Sequence, residues 1–221
     1  MLLPCFCTAT MLEQHLSTVK IILTDIKTGL LFNSIATSRV LRYSKTSWEA
    51  EMIELITGPM FSGKSTLLFQ KMERYVYAHK KIILVRPVRD TRNFFSHSPL
   101  DNGLQRLADS GKIETRTIPA FTDETRFDDY DAVFVDEYFM IKNCVRLALA
   151  CRTDQDVYFA GLLATSECEL FAETIPLLPY CDSIIKLNGV CTQCGSQFGN
   201  YSYYMKGKKT DDIVVGNDEY T

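Results

Sequence analysis

Positive charge is not in surplus in this chain. Lys and Arg number 24 against 27 Asp and Glu, a formal charge of −3 over 221 residues. That balance leaves no electrostatic footprint for a nucleic-acid groove, so polymer DNA or RNA is not the expected partner, while small phosphorylated ligands stay open. Long apolar runs are missing as well: none reaches the roughly 18 residues of a membrane span, so no membrane partner is expected. The opening MLLPCFCTATMLEQHL lacks the basic stretch of a secretory signal, and Pro4, Thr8 and Thr10 break its apolar run. Paired cysteines are scarce. Cys5, Cys7, Cys144, Cys151, Cys168 and Cys181 are scattered, and only Cys191 and Cys194 form a C-x-x-C. Scattered cysteines without a secretory signal read as reduced, part-buried thiols of a cytoplasmic protein.

What is present is ordinary for a soluble globular protein: 46% hydrophobic and 23% charged residues, enough for one full core and an appendage. Residues 1–51 read as a poorly ordered N-terminal extension. They carry Lys20, Lys27, Arg39, Arg42 and Lys45 against Glu13, Asp25, Glu49 and Glu51, which supports a mitochondrial transit peptide only weakly. VKIILTDI (19–26) has strand character but nothing nearby completes a unit. A chain beginning at Met52 is expected to keep full activity.

From Met52 the punctuation becomes regular. MIELIT (52–57), KIILVRP (81–87), KIETRTI (112–118), DAVFVDE (131–137), DVYFAGL (156–162) and SIIKLNGV (183–190) read as strands. TLLFQKMERYVYAH (66–79) and NCVRLALACR (143–152) read as helices. In the first, Leu67, Leu68, Met72, Tyr75 and Val76 recur at near-helical spacing, with Lys71, Glu73 and Arg74 mostly on the other side. Continuous apolar strands separated by helices predict an α/β fold with a mostly parallel sheet flanked by helices. Right-handed crossovers then bring the loop after every strand to one edge. GPMFSGKS, RPVRDTR, VDEYF and GLLATS should converge there.

The pattern Gly58-x-x-x-x-Gly63-Lys64-Ser65 is that of a phosphate-binding loop, and it has a strand before it and a helix after. Glycines let the backbone curl so that successive N–H groups face one anion, and the helix adds its positive end. Lys64 would reach the β- and γ-phosphates and the Ser65 hydroxyl would coordinate Mg²⁺. Asp136 and Glu137 close another strand. One carboxylate there can hold Mg²⁺ through water, and a second can accept a proton from an attacking hydroxyl.

GPMFSGKST, the DTR of RPVRDTR, VDE, the turn after FAGL, and KLNGVCTQC followed by VVGNDEY occur in one order. Together they resemble the cellular and viral type II thymidine kinases, over the span from Met52 to Thr221. The resemblance implies a P-loop kinase domain at 52–187 and a small zinc-ribbon-like lasso domain at 188–221. It also implies transfer of the ATP γ-phosphate to the 5′-hydroxyl of thymidine for DNA synthesis, with ATP and Mg²⁺, in a homotetramer. By position, Gly58, Pro59, Met60, Phe61, Ser62, Gly63, Lys64, Ser65 and Thr66 would hold ATP. Glu137 matches the catalytic base. Asp136 would sit with Ser65 near Mg²⁺, and Asp90 and Arg92 would help arrange the metal and the reacting groups. Met60, Met140, Leu162 and Phe171 match residues around the thymine base, and Gly216, Asn217 and Tyr220 match the lasso that closes over it. The lone His97 is read as structural.

The chain departs from the family pattern in three places. The aromatic pair expected after the catalytic glutamate is spelled DEYFMI, with Phe139 one place early and Met140 where the first phenylalanine would stand. TSECELF carries Ser166, Glu167 and Glu169 where a basic, aromatic segment is common, which points to a looser pocket and other pyrimidine deoxynucleosides as substrates. For Zn²⁺ the sequence offers Cys191 and Cys194 but no second C-x-x-C and no histidine after His97. Structural zinc takes four ligands. Either zinc is bound poorly or distant cysteines such as Cys181 contribute. A degenerate kinase or regulatory P-loop ATPase, binding ATP without nucleoside transfer, is the alternative reading.

Overall fold

In the computed structural model, residues 52–90 and 112–205 are described. They contain β1 (Ile53–Thr57), α1 (Lys64–Tyr77), β2 (Ile82–Pro87), β3 (Glu114–Ile118), β4 (Ala132–Asp136), α2 (Cys144–Ala150), β5 (Asp156–Gly161), α3 (Thr174–Leu177) and β6 (Ser183–Lys186). Short 3-10 turns cover Tyr138–Met140 and Leu178–Tyr180. The strands form one sheet in the order β3-β2-β4-β5-β1-β6, and each neighbouring pair is parallel. The expected sheet is therefore parallel throughout; β1, β2 and β3 end where the sequence runs end, β4 and β5 one residue sooner and β6 four residues sooner. No helix among the described residues is long and apolar enough to cross a membrane.

Side-chain parity explains why the inner strands read as unbroken apolar runs. Odd-numbered Ile53, Leu55, Ile83, Val85, Val133, Val135, Val157 and Phe159 face one cluster, which α2 completes with Cys144, Leu147 and Ala148. Even-numbered Ile56, Ile82, Leu84, Ala132, Phe134, Tyr158 and Ala160 face the other, which α1 completes with Leu68, Phe69 and Met72. Both faces are covered, so both residue sets must be apolar. Burying a side chain of this size stabilises by about 1.5–3 kcal/mol. Phe134 stacks on Tyr158 with ring centroids 4.8 Å apart, and Tyr75 of α1 meets Phe134 edge-on at 5.5 Å.

Two residues of α1 depart from the reading of its sequence. Phe69 is fully buried, so the apolar face is rotated toward Leu68, Phe69 and Met72. Lys71 turns inward rather than to solvent: its ammonium lies 2.8 Å from Glu54 Oε1 and 5.4 Å from the centre of the Tyr158 ring. Glu54 occupies an even position on β1 and is 4% exposed. A buried carboxylate there requires a partner, and Lys71 is that partner.

Candidate active site

The first site element is the loop between β1 and α1. At its start, a Cβ on Gly58 would lie 2.5 Å from the Leu187 carbonyl oxygen, which follows β6, and 2.9 Å from Ser62 Oγ. Only glycine lets the two backbones approach that closely. The loop then bends through Phe61 at φ 58° and Gly63 at φ 79°, both left-handed, and Gly63 caps α1. Pro59 is buried, whereas Met60, Phe61, Ser62, Lys64, Ser65 and Thr66 are half-buried. The Lys64 ammonium donates to the Pro59 carbonyl at 2.6 Å, and the Ser62 hydroxyl donates to the same oxygen at 2.8 Å. The loop is thus a compact curl with the start of a 14-residue helix at its mouth, where N–H groups without helical partners concentrate positive potential.

The second element is the end of β4. The strand β5 lies between β1 and β4, with Ile56 level with Ala160 and Ala160 level with Asp136. Two strand spacings, about 10 Å, separate the two strand ends. The start of α1 spans that gap: the Ser65 hydroxyl donates to Asp136 Oδ1 at 3.4 Å. Asp136 is 2% exposed. The next residue, Glu137, has left the strand and sits at φ 50° and ψ 45°. Glutamate seldom adopts that left-handed conformation, which costs on the order of 1 kcal/mol and is commonest at functional sites. It turns the chain sharply into the Tyr138–Met140 turn at the sheet edge where the phosphate loop lies.

Asp90 stands beyond β2 on the same edge. Its side chain is fully buried and pairs with Arg86 Nη2 at 2.7 Å. Sequence reasoning missed Arg86. The signal is available in hindsight: Pro87 ends the strand, Asp90 N–H donates to its carbonyl, and the resulting turn folds the residue four places on back onto Arg86.

The third element is an apolar wall. Met140, Leu162 and Phe171 are partly buried against the same core cluster. Phe139, the early aromatic of DEYFMI, lies against Phe171 with ring centroids 4.4 Å apart. Gly161 makes this packing possible, because a Cβ there would stand 2.9 Å from both Phe139 Cδ1 and Tyr138 Cδ1. The Tyr138 hydroxyl shares a buried 2.8 Å hydrogen bond with Thr174 Oγ1, and Glu173 Oε2 accepts from Cys144 N–H at 3.1 Å. The first bond ties the start of α3 to the turn after Glu137, and the second ties it to the start of α2. Burial pushes the Tyr138 hydroxyl above the ordinary tyrosine range.

Of the residues singled out in the sequence, Asp90 and those of 58–66 and 136–140 thus share the sheet edge with Leu162 and the Phe171 wall. Arg92, His97, Gly216, Asn217 and Tyr220 lie outside the described residues, as do residues 1–51. Cys191 and Cys194 flank a tight turn in which Gly195 N–H donates to the Cys191 carbonyl at 2.9 Å. Cys181 does not join them. It precedes β6 while they follow it, and its thiol donates to the Leu177 carbonyl at 3.5 Å. Among the described residues no group of three His, Cys, Asp or Glu side chains converges, so two thiols do not make the four-ligand set of structural zinc. The hard oxygens of Ser65 and Asp136 do fit Mg²⁺, which takes one or two protein oxygens and completes its octahedron from phosphate and water.

A parallel α/β sheet, a glycine loop between its first strand and helix, and an acidic strand end bonded to that helix define a P-loop domain. The family model described as thymidine kinase matches residues 51–221. The thymidine kinase of Thermococcus kodakarensis is 31% identical over 173 residues, covering 76% of this chain and 88% of its own length. That of Ureaplasma parvum is 30% identical over 182 residues, covering 76% and 78%. The cytosolic thymidine kinase of Gallus gallus is 30% identical over 173 residues, covering 76% and 72%. The chain belongs to the thymidine kinase family.

Proposed function

We propose that this protein transfers the γ-phosphoryl group of ATP to the 5′-hydroxyl of thymidine. The observation that carries the reading is the Ser65–Asp136 contact, which sets the phosphate loop and the acidic end of β4 side by side with Glu137 next in the chain. In this reading the loop amides and Lys64 hold the triphosphate. Ser65 and Asp136 would hold Mg²⁺, Asp136 directly or through water, and the ion would supply neutralisation of the charge on the phosphate oxygens. The Glu137 carboxylate takes the proton of the 5′-hydroxyl as that oxygen attacks the γ-phosphorus. The bond to the β,γ-bridging oxygen breaks, leaving ADP and thymidine 5′-phosphate. Met60, Met140, Leu162 and Phe171 line the thymine side, and Asp90, Arg92, Gly216, Asn217 and Tyr220 keep the roles that family membership implies. Catalysis here is positioning and charge neutralisation, so a carboxylate held in an uncommon backbone conformation next to the cradle is the expected device.

A homotetramer in the cytoplasm is the assembly and location that go with this reading. No role is assigned to zinc, because the described residues supply only two of its ligands.

The test is transfer of label from γ-labelled ATP to a panel of deoxynucleosides by the full chain and by Lys64→Ala and Glu137→Gln. Thymidine should be labelled by the parent. Glu137→Gln should lose about 10²–10⁴-fold in kcat while still binding ATP, and Lys64→Ala should lose ATP affinity as well. Binding of ATP by the parent with no labelled nucleoside would establish the ATP-binding alternative. Transfer undiminished in both variants would remove the assigned roles.

A further inference from the structure

The peptide group between Pro59 and Met60 is held from both sides. Its carbonyl oxygen accepts from the Lys64 ammonium at 2.6 Å and from the Ser62 hydroxyl at 2.8 Å. Its N–H donates to Ser202 Oγ at 2.8 Å, from a residue 142 places further along the chain. The C=O and N–H of one planar trans peptide point in opposite directions, so the acceptor on one side fixes where the oxygen on the other side stands. Ser202 is 7% exposed, whereas its neighbours Tyr201 and Tyr203 are 61% and 59% exposed. The strand-like alternation thus turns the one small hydroxyl inward and the large rings outward. Contacts earlier in the chain keep this segment seated. Gly189 and Gly199 exchange backbone hydrogen bonds at 2.8 and 3.0 Å, and Val190 N–H donates to the Phe61 carbonyl at 3.4 Å. A Cβ on Gly189 would stand 2.7 Å from the Met60 carbonyl oxygen and 2.9 Å from Pro59 Cγ.

We infer that Ser202 is a positioning residue of the phosphate loop: it orients the Pro59–Met60 peptide and, through that carbonyl, sets where the Lys64 ammonium and the Ser62 hydroxyl stand for an incoming triphosphate. The inference rests on the reading of the loop as the nucleotide cradle. Without the Ser202 oxygen, the half-buried Met60 N–H must find water or the peptide must rotate, and rotation carries the Pro59 oxygen away from Lys64. The effect reaches the nucleotide through the Pro59 oxygen, Lys64 and Ser62, and it reaches the thymine side through Met60, whose N–H is the donor.

The experiment compares the full chain with Ser202→Ala and Ser202→Thr by calorimetric titration with a non-hydrolysable ATP analogue and Mg²⁺, and by steady-state kinetics. Ser202→Ala should weaken the analogue about tenfold and raise the KM for ATP to match. Ser202→Thr, which keeps the acceptor, should stay within about twofold of the parent. Analogue binding unchanged in Ser202→Ala, or equally weakened in Ser202→Thr, would overturn the inference. Should Ser202→Ala not fold, hydrogen exchange decides the matter: a protected Met60 amide in the parent supports the inference, and exchange at the rate of a free chain overturns it. A parent that binds the analogue in a Ser202-dependent manner but labels no nucleoside would remove the kinase reading and leave this inference standing.

Discussion

The Ser65 hydroxyl and the Asp136 carboxylate stand 3.4 Å apart although they lie 71 positions apart in the chain and β5 runs between β4 and β1, the strand that leads into the Ser65 loop. The contact joins a helix start to a strand end. Asp136→Asn keeps the shape and removes the charge. Under the proposed metal role it should raise the Mg²⁺ concentration for half-maximal activity about tenfold and lower kcat by about 10²-fold. A Mg²⁺ titration that superimposes on the parent's would show that Asp136 has no part in holding the metal.

Gly161 is a packing glycine. Gly161→Ala drives a methyl group into the rings of Tyr138 and Phe139, each 2.9 Å away. Overpacking of this kind costs about 1–3 kcal/mol, which urea unfolding would register. Because the displaced rings follow Glu137 directly, the KM for thymidine should rise further than the KM for ATP.

Thiol reactivity should divide by burial. Cys144 and Cys151 are buried, whereas Cys168 and Cys194 are exposed. The Cys144 thiol donates to the Tyr138 and Ile141 carbonyls at 3.2 Å, and burial pushes its pKa well above the ordinary range. Iodoacetamide at pH 8 should therefore modify Cys168 and Cys194 in the native protein. Cys144 and Cys151 should react only after unfolding, since the thiolate is the nucleophile. Peptide mass mapping reads the pattern, and early modification of Cys144 would contradict the packing around α2.

Alkaline stability should be limited by buried phenols. Tyr138 is raised by burial, and Tyr75 by burial and by its hydrogen bond to Asp156. A phenol raised in the folded state binds its proton more tightly there than in the unfolded chain, whose tyrosines titrate near about 10. Its contribution is full below that pH and is lost as pH rises through the folded value. The urea midpoint should fall steeply above about pH 10. Tyr138→Phe should flatten part of that fall, at a cost of about 1 kcal/mol near pH 7 for the lost bond to Thr174.

The parts of the fold that repeat locally were legible in the residue order. Continuous apolar strands announce a sheet covered on both faces, and the Gly58–Ser65 spacing announces the loop. What escaped were pairings that only tertiary proximity creates. Lys71 reads as a solvent-facing cation until Glu54 is found beneath it, and Arg86 reads as a strand end until Asp90 folds back. Ser202 has no local signal at all, because its partner lies 142 residues earlier and a serine between tyrosines matches no pattern. Cys181 failed in the opposite sense: composition made it available as a zinc ligand, and chain direction put it at the wrong end of β6.

The register of β1 has a consequence for how the protein is made. Met52 and Asp156, which bond just ahead of the β1–β5 ladder, are 104 residues apart, and the other partner, β6, is translated later still. At roughly 5–20 residues per second, a ribosome needs about 5–20 s to supply β5 after β1. Through that interval the apolar IELIT segment has α1 to pack on but no strand partner in the nascent chain. Newly synthesised protein is therefore most exposed to chaperone capture and aggregation before its final third emerges, and the triphosphate pocket is among the last parts of the molecule to exist.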